Sequence, residues 1–387
     1  MYPNLFYFCS HEKSHWALQT KRYCDMFGIA IDRRRIFGLD FLRAFAILCV
    51  IHSHTAFLLN GTQLEWLIHL PMLHGVDMFF VLSGFLIGGA FLTHSETHNG
   101  IVDKQKMGRF YAKTALRILP NYYFILLIYY ILTKSQIITG DVNAFSIWYF
   151  ITLTQNLFTP FYNFFWESWT LPVEWWFYIL FPILLVVTSR FVHPRKSIPF
   201  ICLFFVVFSI LYRIMVSDHA VDEFWWGCWI RKTVASRIDG IFMGVMAAWF
   251  KAYLPEKWNR YGIMSFVAGM LLMTLLCMIK HPAGTFYSNV LYSSLLPVAI
   301  VLWLPLLCRW QSYKTVIGSM VAHLSVLSYA LFLTNLMVTQ IITTQCPEWI
   351  QHHGILSYIL CWTLAFVSAY ALYILVEKPF MNLRKRL

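Results

Sequence analysis

The chain has 387 residues, of which 59% are hydrophobic and only 12% are charged. A soluble domain usually carries about twice that charged fraction, so a water-soluble globule is excluded and lipid is the expected solvent for most of the chain. The formal charge of +12 would suggest nucleic acid in a soluble protein, but here the basic residues fall between apolar runs, where membrane orientation accounts for them and no nucleic-acid partner is implied.

Residues 1–35 are polar and basic, with one short apolar patch at 5–9. They read as a cytoplasmic arm rather than a cleaved signal. Ten segments then have the apolar character of a membrane span: 36–59, 70–93, 118–133, 168–189, 197–216, 234–250, 260–279, 289–307, 318–343 and 355–376. The third is short. An eleventh apolar stretch, 144–165, is interrupted by Thr154-Gln155-Asn156 and by Pro160. With the N-terminus inside and only the ten spans crossing, 23 of the 30 Lys and Arg residues lie on the inner side. Letting 144–165 cross would invert every later loop and break the positive-inside bias. The expected fold is therefore all-α and integral to the membrane, with about ten transmembrane helices and both termini cytoplasmic. Residues 144–165 are expected to be re-entrant or interfacial, 36–376 to form the transmembrane domain, and 377–387 a basic cytoplasmic tail. The nine cysteines include no CxxC pair and no metal-ligand spacing. Most lie in apolar runs, such as Cys49, Cys202, Cys277 and Cys361, and read as small buried hydrophobes; no metal is expected.

Ionisable residues inside spans are functional candidates by default. The first span holds Asp40, Arg43, His52 and His54. Eleven residues advance a helix by roughly 1100°, so Arg43 and His54 share a face about 16 Å apart along the axis, and His52 lies opposite Arg43. Either both histidines are interfacial, or His54 works with Arg43 in a common cavity. Asp40, one turn before Arg43, can simply pair with it. The second span carries Asp77 in an otherwise apolar run, then Ser83 and the small residues Gly84, Gly88 and Gly89, which permit close helix packing. The basic stretch before the third span, Lys104, Lys106, Arg109, Lys113 and Arg117, precedes Pro120 and is consistent with a helix start at the inner surface. It reads either as a topology signal that meets anionic lipid or as a phosphate-binding patch for an anionic donor. The fourth span enters from outside through Trp169-Thr170-Leu171-Pro172-Val173-Glu174, which puts Glu174 at a depth similar to His54. A histidine with a carboxylate partner is a general-base unit; pairing of Glu174 with Arg237 is the alternative. The aromatics Trp148, Tyr149, Phe161, Tyr162, Phe164, Phe165 and Trp166 could stack on sugar rings or form an interfacial belt.

These segments, taken in order, resemble the acyltransferase 3 family of bacterial membrane proteins. Arg43 with His54 looks like that family's Arg, ten residues, His signature. The run 75–87, GVDMFFVLSGFLI, is similar to its most recognisable block. Arg117-Ile118-Leu119-Pro120-Asn121-Tyr122-Tyr123 resembles the start of its third helix, and 169–174 its Trp-Ser-Leu-x-x-Glu block. Weaker echoes follow at Arg237-Ile238-Asp239, Ser328-Tyr329 and Glu377-Lys378-Pro379-Phe380. The resemblance implies ten helices and transfer of an acyl group, usually acetyl from acetyl-CoA, to a hydroxyl of a glycan such as lipopolysaccharide O-antigen or exopolysaccharide, at the bacterial cytoplasmic (inner) membrane. It implies Arg43, His54 and Glu174 as the catalytic set. Asp77, Ser83, Lys113, Arg117, Trp169, Arg237 and Tyr329, in or beside these blocks, are the expected substrate-binding residues. Acetyl-CoA is expected to dock its phosphates on Arg117 and Lys113. His54, oriented by Glu174 or Asp77, is expected to take the proton of an incoming sugar hydroxyl. The expected partners are membrane lipid, acetyl-CoA and a glycan or lipid-linked glycan. A small-molecule acceptor, or transport of a glycan or acyl intermediate, are the alternatives. Two positions depart from the family pattern: Thr114 stands where an Arg is common, beside Lys113, and Asn335 where a His is common.

Overall fold

The computed structural model describes residues 35–70, 74–97, 104–143, 146–160, 164–280, 282–311 and 316–386. The expected arm, apart from Arg35, lies outside them. Among the described residues every regular element is helical. In chain order these are α1 (Phe37–Thr55), α2 (Gly75–Thr97), α3 (Lys104–Lys134), α4 (Ser146–Ile151), α5 (Thr170–Ser189), α6 (Pro194–Met215), α7 (Glu223–Trp226) and α8 (Val234–Tyr253). They continue as α9 (Pro255–Arg260), α10 (Gly262–Met278), α11 (Ser293–Leu307), α12 (Val316–Gln345), α13 (Pro347–His352), α14 (Gly354–Leu372) and α15 (Lys378–Arg384).

Eight helices in the described residues are long and apolar enough to cross a membrane: 37–59, 75–93, 107–134, 166–189, 194–215, 287–307, 316–345 and 354–384. The other two expected spans are helical as well but differ in kind. Residues 260–279 form the shorter α10, of 17 residues. Residues 234–250 form α8, which carries Arg237, Asp239 and Lys251.

Helix α8 tolerates those charges because protein, not lipid, surrounds it. It packs against α2, α6, α11 and α5, most extensively against α2. A Cβ on Gly84 would stand 1.8 Å from the Ile241 carbonyl oxygen, and one on Gly244 would stand 2.1 Å from that of Val81. No side chain fits at such distances, so glycine lets the two backbones touch. Two of these charges are then matched within the bundle. Arg213 Nη2 lies 2.8 Å from Asp239 Oδ2, and Arg237 is ion-paired with Asp77.

Helix α3 begins at Lys104, so the helix start lies at the head of the basic stretch and Pro120 falls inside the helix. Proline there loses one backbone bond and crowds the carbonyl four residues earlier, a cost that neighbouring helices can offset. The interrupted stretch at 144–165 forms only the six-residue α4 before turning. Its carbonyls are met by the protein. Tyr122 Oη donates to Phe150 at 2.7 Å, Trp176 Nε1 to Leu153 at 2.9 Å, and the Val234 N–H to Asn156 at 2.8 Å. Irregular backbone at membrane depth survives only with such partners. At the other end, α14 runs through one π-helical turn, Tyr373–Glu377, into α15. The expected tail is therefore helical to Arg384, and it packs on α3.

Candidate active site

Helices α1 and α12 form a seam that carries both expected residues of α1. Near the start of α1, Arg43 Nη1 lies 3.3 Å from Asp40 Oδ1 and 3.3 Å from Ser325 Oγ. Ser325 Oγ donates to Asp40 at 2.7 Å, and Arg35 Nε donates to the same carboxylate at 2.8 Å. Toward the end of α1, His54 Nδ1 lies 2.6 Å from Asn335 Oδ1. Position 43 thus meets 325 and position 54 meets 335. Each interval is about 15–16 Å of helix rise, so the two helices run parallel.

A cleft opens beside Arg43. Its polar lining is Arg43, Ser83, Arg117, Thr170, Glu174, Tyr178, Ser328 and Tyr329, and its walls include Val76, Phe79, Phe80, Ile118 and Phe332. Glu174 is held by two hydroxyls: Ser83 Oγ donates to Oε1 at 2.9 Å and Tyr178 Oη donates to Oε2 at 3.0 Å. Tyr329 Oη donates to the Ile118 carbonyl at 2.9 Å. The charge of Arg117 reaches Arg43, Glu174 and Glu377, and Glu377 accepts a 3.0 Å bond from Asn121 Nδ2. At the opposite end Phe332 meets Phe79 edge to face, with ring centroids 6.4 Å apart. Asn335 lies one turn beyond Phe332, and His54 beside it. The His54 ring is half-buried, and its Nε2 carries no partner among the described residues. The charges of Arg231 and Lys232 reach it from outside the seam. Lys232 Nζ sits 4.5 Å over the Trp166 ring, and burial lowers its pKa from the ordinary lysine value.

Several expected contacts are replaced. Neither Glu174 nor Asp77 touches His54; Asn335 does. Glu174 falls in the cleft with Arg43 because the approach to α5 is itself buried: Phe164, Phe165, Glu167 and Ser168 all lie inside the protein. Counting from a surface loop therefore misjudged its depth. Arg237 pairs with Asp77 and not with Glu174. Lys113 is half-buried on α3 and does not line the cleft. Trp169 packs edge-on to Phe80 at 5.9 Å, and its carbonyl accepts from Asn156 Nδ2 at 2.7 Å. Of the proposed sugar-stacking aromatics, Phe161 and Tyr162 lie outside the described residues. Phe165 is buried in a stack on Tyr129 at 4.4 Å, and Phe164 is buried beside it, while Trp148 and Tyr149 are exposed. The expected set missed Tyr178 and Ser325. Tyr178 was findable, one helical turn after Glu174.

His52 is a contrast within the same helix. Its Nδ1 lies 3.0 Å from Tyr358 Oη and its Nε2 lies 2.9 Å from the Leu67 carbonyl, so both ring nitrogens are occupied.

A protein family described as an acyltransferase domain matches residues 36–377. A protein of Staphylococcus aureus strain COL, named provisionally as an O-acetyltransferase, is 32% identical over 49% of this chain and 31% of its own length. The peptidoglycan O-acetyltransferase OatA of Listeria monocytogenes is 29% identical over 43% of this chain and 26% of its own length. The O-acetyltransferase OatA of Staphylococcus aureus strain NCTC 8325 is 28% identical over 48% and 30%. The chain spans less than a third of the length of the relatives it matches. No solved structure matches it.

Proposed function

The chain belongs to this acyltransferase family, and on that premise we propose that it is a membrane O-acetyltransferase, moving an acetyl group from acetyl-CoA to a hydroxyl of a cell-envelope glycan. The names of its relatives make peptidoglycan one acceptor to test; O-antigen and exopolysaccharide are the others. The observation that carries the reading is the α1–α12 seam: a cationic cleft at Arg43 and Arg117 ends one helical turn short of a histidine with a nitrogen that has no partner among the described residues.

Acetyl-CoA enters at the Arg117 end, where Arg117 and Arg384 offer charge to its phosphates. The pantetheine arm follows the apolar wall past Arg43, a route that needs the roughly 16 Å between Arg43 and His54. The acceptor hydroxyl meets His54 from the other side. Its proton passes to Nε2 as its oxygen attacks the thioester carbonyl. The C–O bond forms, the C–S bond breaks, and the proton on Nε2 passes to the leaving thiolate to give CoA thiol. Glu174 acts on the donor side of the cleft, where its charge faces those of Arg43 and Arg117. In this reading α8 and α10 also cross, as helices shielded by their neighbours, giving ten spans in the bacterial cytoplasmic membrane with both termini inside.

The test uses purified protein in lipid vesicles with acetyl-labelled acetyl-CoA and extracted envelope glycan, wild type beside His54→Ala. Label on the glycan and CoA release with wild type alone is the expected result. Equal transfer by His54→Ala would overturn the role of His54, and no transfer to any of the three glycans would overturn the acceptor class.

A further inference from the structure

We infer that Asn335 is the positioning residue for His54: its side-chain oxygen holds the imidazole with the proton on Nδ1 and leaves Nε2 as the acceptor that faces the substrate. The inference rests on the proposed role of His54 as base, and gives that base its orientation and tautomer.

The argument begins on α12. The Asn335 amide nitrogen donates to two carbonyls of its own helix, Leu331 and Phe332, each at 2.8 Å. Turning the amide over would set its oxygen against both carbonyls and lose both bonds, so the orientation is fixed. The atom presented to His54 is then the oxygen, 2.6 Å from Nδ1. An amide oxygen only accepts, so Nδ1 must carry the hydrogen. In a neutral imidazole the other nitrogen then has the lone pair. That nitrogen has no partner among the described residues, in a ring that is only half-buried. His52 is set the opposite way. Its Nε2 faces a carbonyl and must donate, which leaves Nδ1 to accept from Tyr358. Two histidines two residues apart thus hold opposite tautomers, and only one leaves a nitrogen free. Replacing the carboxylate of a His–Asp pair by an amide usually harms catalysis because the amide can present its N–H. Here the two backbone carbonyls prevent that.

The experiment is nitrogen NMR on wild-type protein in lipid vesicles with 15N-labelled histidine, with His54→Gln and His52→Gln spectra assigning the two signals. The expected spectrum has His54 protonated on Nδ1 and bare on Nε2, and His52 the reverse. In Asn335→Leu, His54 should lose that single tautomer. Its kcat should fall about 100-fold, the scale of a general base lost from alignment, while KM for acetyl-CoA stays within about twofold. A wild-type His54 protonated on Nε2, or an Asn335→Leu protein with unchanged spectrum and turnover, would overturn the inference. The wild-type spectrum decides even if Asn335→Leu does not fold. Acetyl transfer by His54→Gln would instead overturn the role of His54 as base and leave the spectral question to stand alone.

Discussion

The α2–α8 interface and the α1–α12 seam both bury ionisable groups, and they do so to different ends. Between α2 and α8 the backbones touch at Gly84 and Gly244, and the nearby charges match each other, Asp77 with Arg237 and Arg213 with Asp239. Asp77 and Arg237 are each only 3% exposed. Between α1 and α12 the partners occupy one side of each group. Arg43 leans on Asp40 and Ser325 yet lines the cleft, and His54 leans on Asn335 with no partner for Nε2 among the described residues. An ionisable residue in a span is costly in either place, and the two regions differ in whether one side of the group stays open.

The contrast can be broken at its strongest point first. Gly244→Val should cost more than about 3 kcal/mol, because the clash is with backbone and cannot be relieved by a rotamer. Fluorescence-detected size-exclusion chromatography should show loss of the monodisperse peak; a native peak and unchanged melting temperature would refute the close contact. Asp77→Ala comes next. It leaves Arg237 buried without its partner, a loss of about 3–5 kcal/mol, and the double variant with Arg237→Leu should recover most of the melting temperature. Recovery of acetyl transfer in that double variant would mark the pair as structural, whereas recovered stability without transfer would make it a substrate contact. Arg43→Lys should lower turnover about tenfold with a melting temperature near wild type, because Nη1 alone meets Asp40 and Ser325 and an ammonium in its place loses the rest of the planar guanidinium that lines the cleft. Full turnover would mean that bare charge suffices. Tyr358→Phe should be the mildest, within about 1 kcal/mol and with turnover unchanged, since His52 keeps its bond to Leu67. A large loss of turnover there would move His52 into the working set.

Much of this arrangement was legible in the sequence. Apolar runs located the helices, and the rotation per residue brought Arg43 and His54 to one face, which α12 covers. The identity of the cover was not legible. Asn335 lies 281 residues from His54, and a helix's own periodicity says which face is polar but not which helix will meet it. Glu174 was singled out for its type, but its depth depended on a buried approach at 164–169 that apolar character alone cannot distinguish from an interfacial belt. Helix α8 stood out in the sequence as an apolar run, although its charges are acceptable only because α2, α6 and α11 enclose it.

The edge-to-face contact of Phe79 with Phe332 bears on the energised membrane as a whole. On the proposed reading the enzyme collects one substrate on each side of a bilayer, and such a catalyst risks becoming a wire. Moving one elementary charge through a potential of 100 mV releases about 2.3 kcal/mol, so a continuous file of water past Arg43 to His54 would drain the gradient. Phe79 and Phe332 both line the cleft and meet edge to face where it approaches Asn335, so on that reading they are expected to act as electrical insulation there, passing a slender acyl thioester but not hydrated ions.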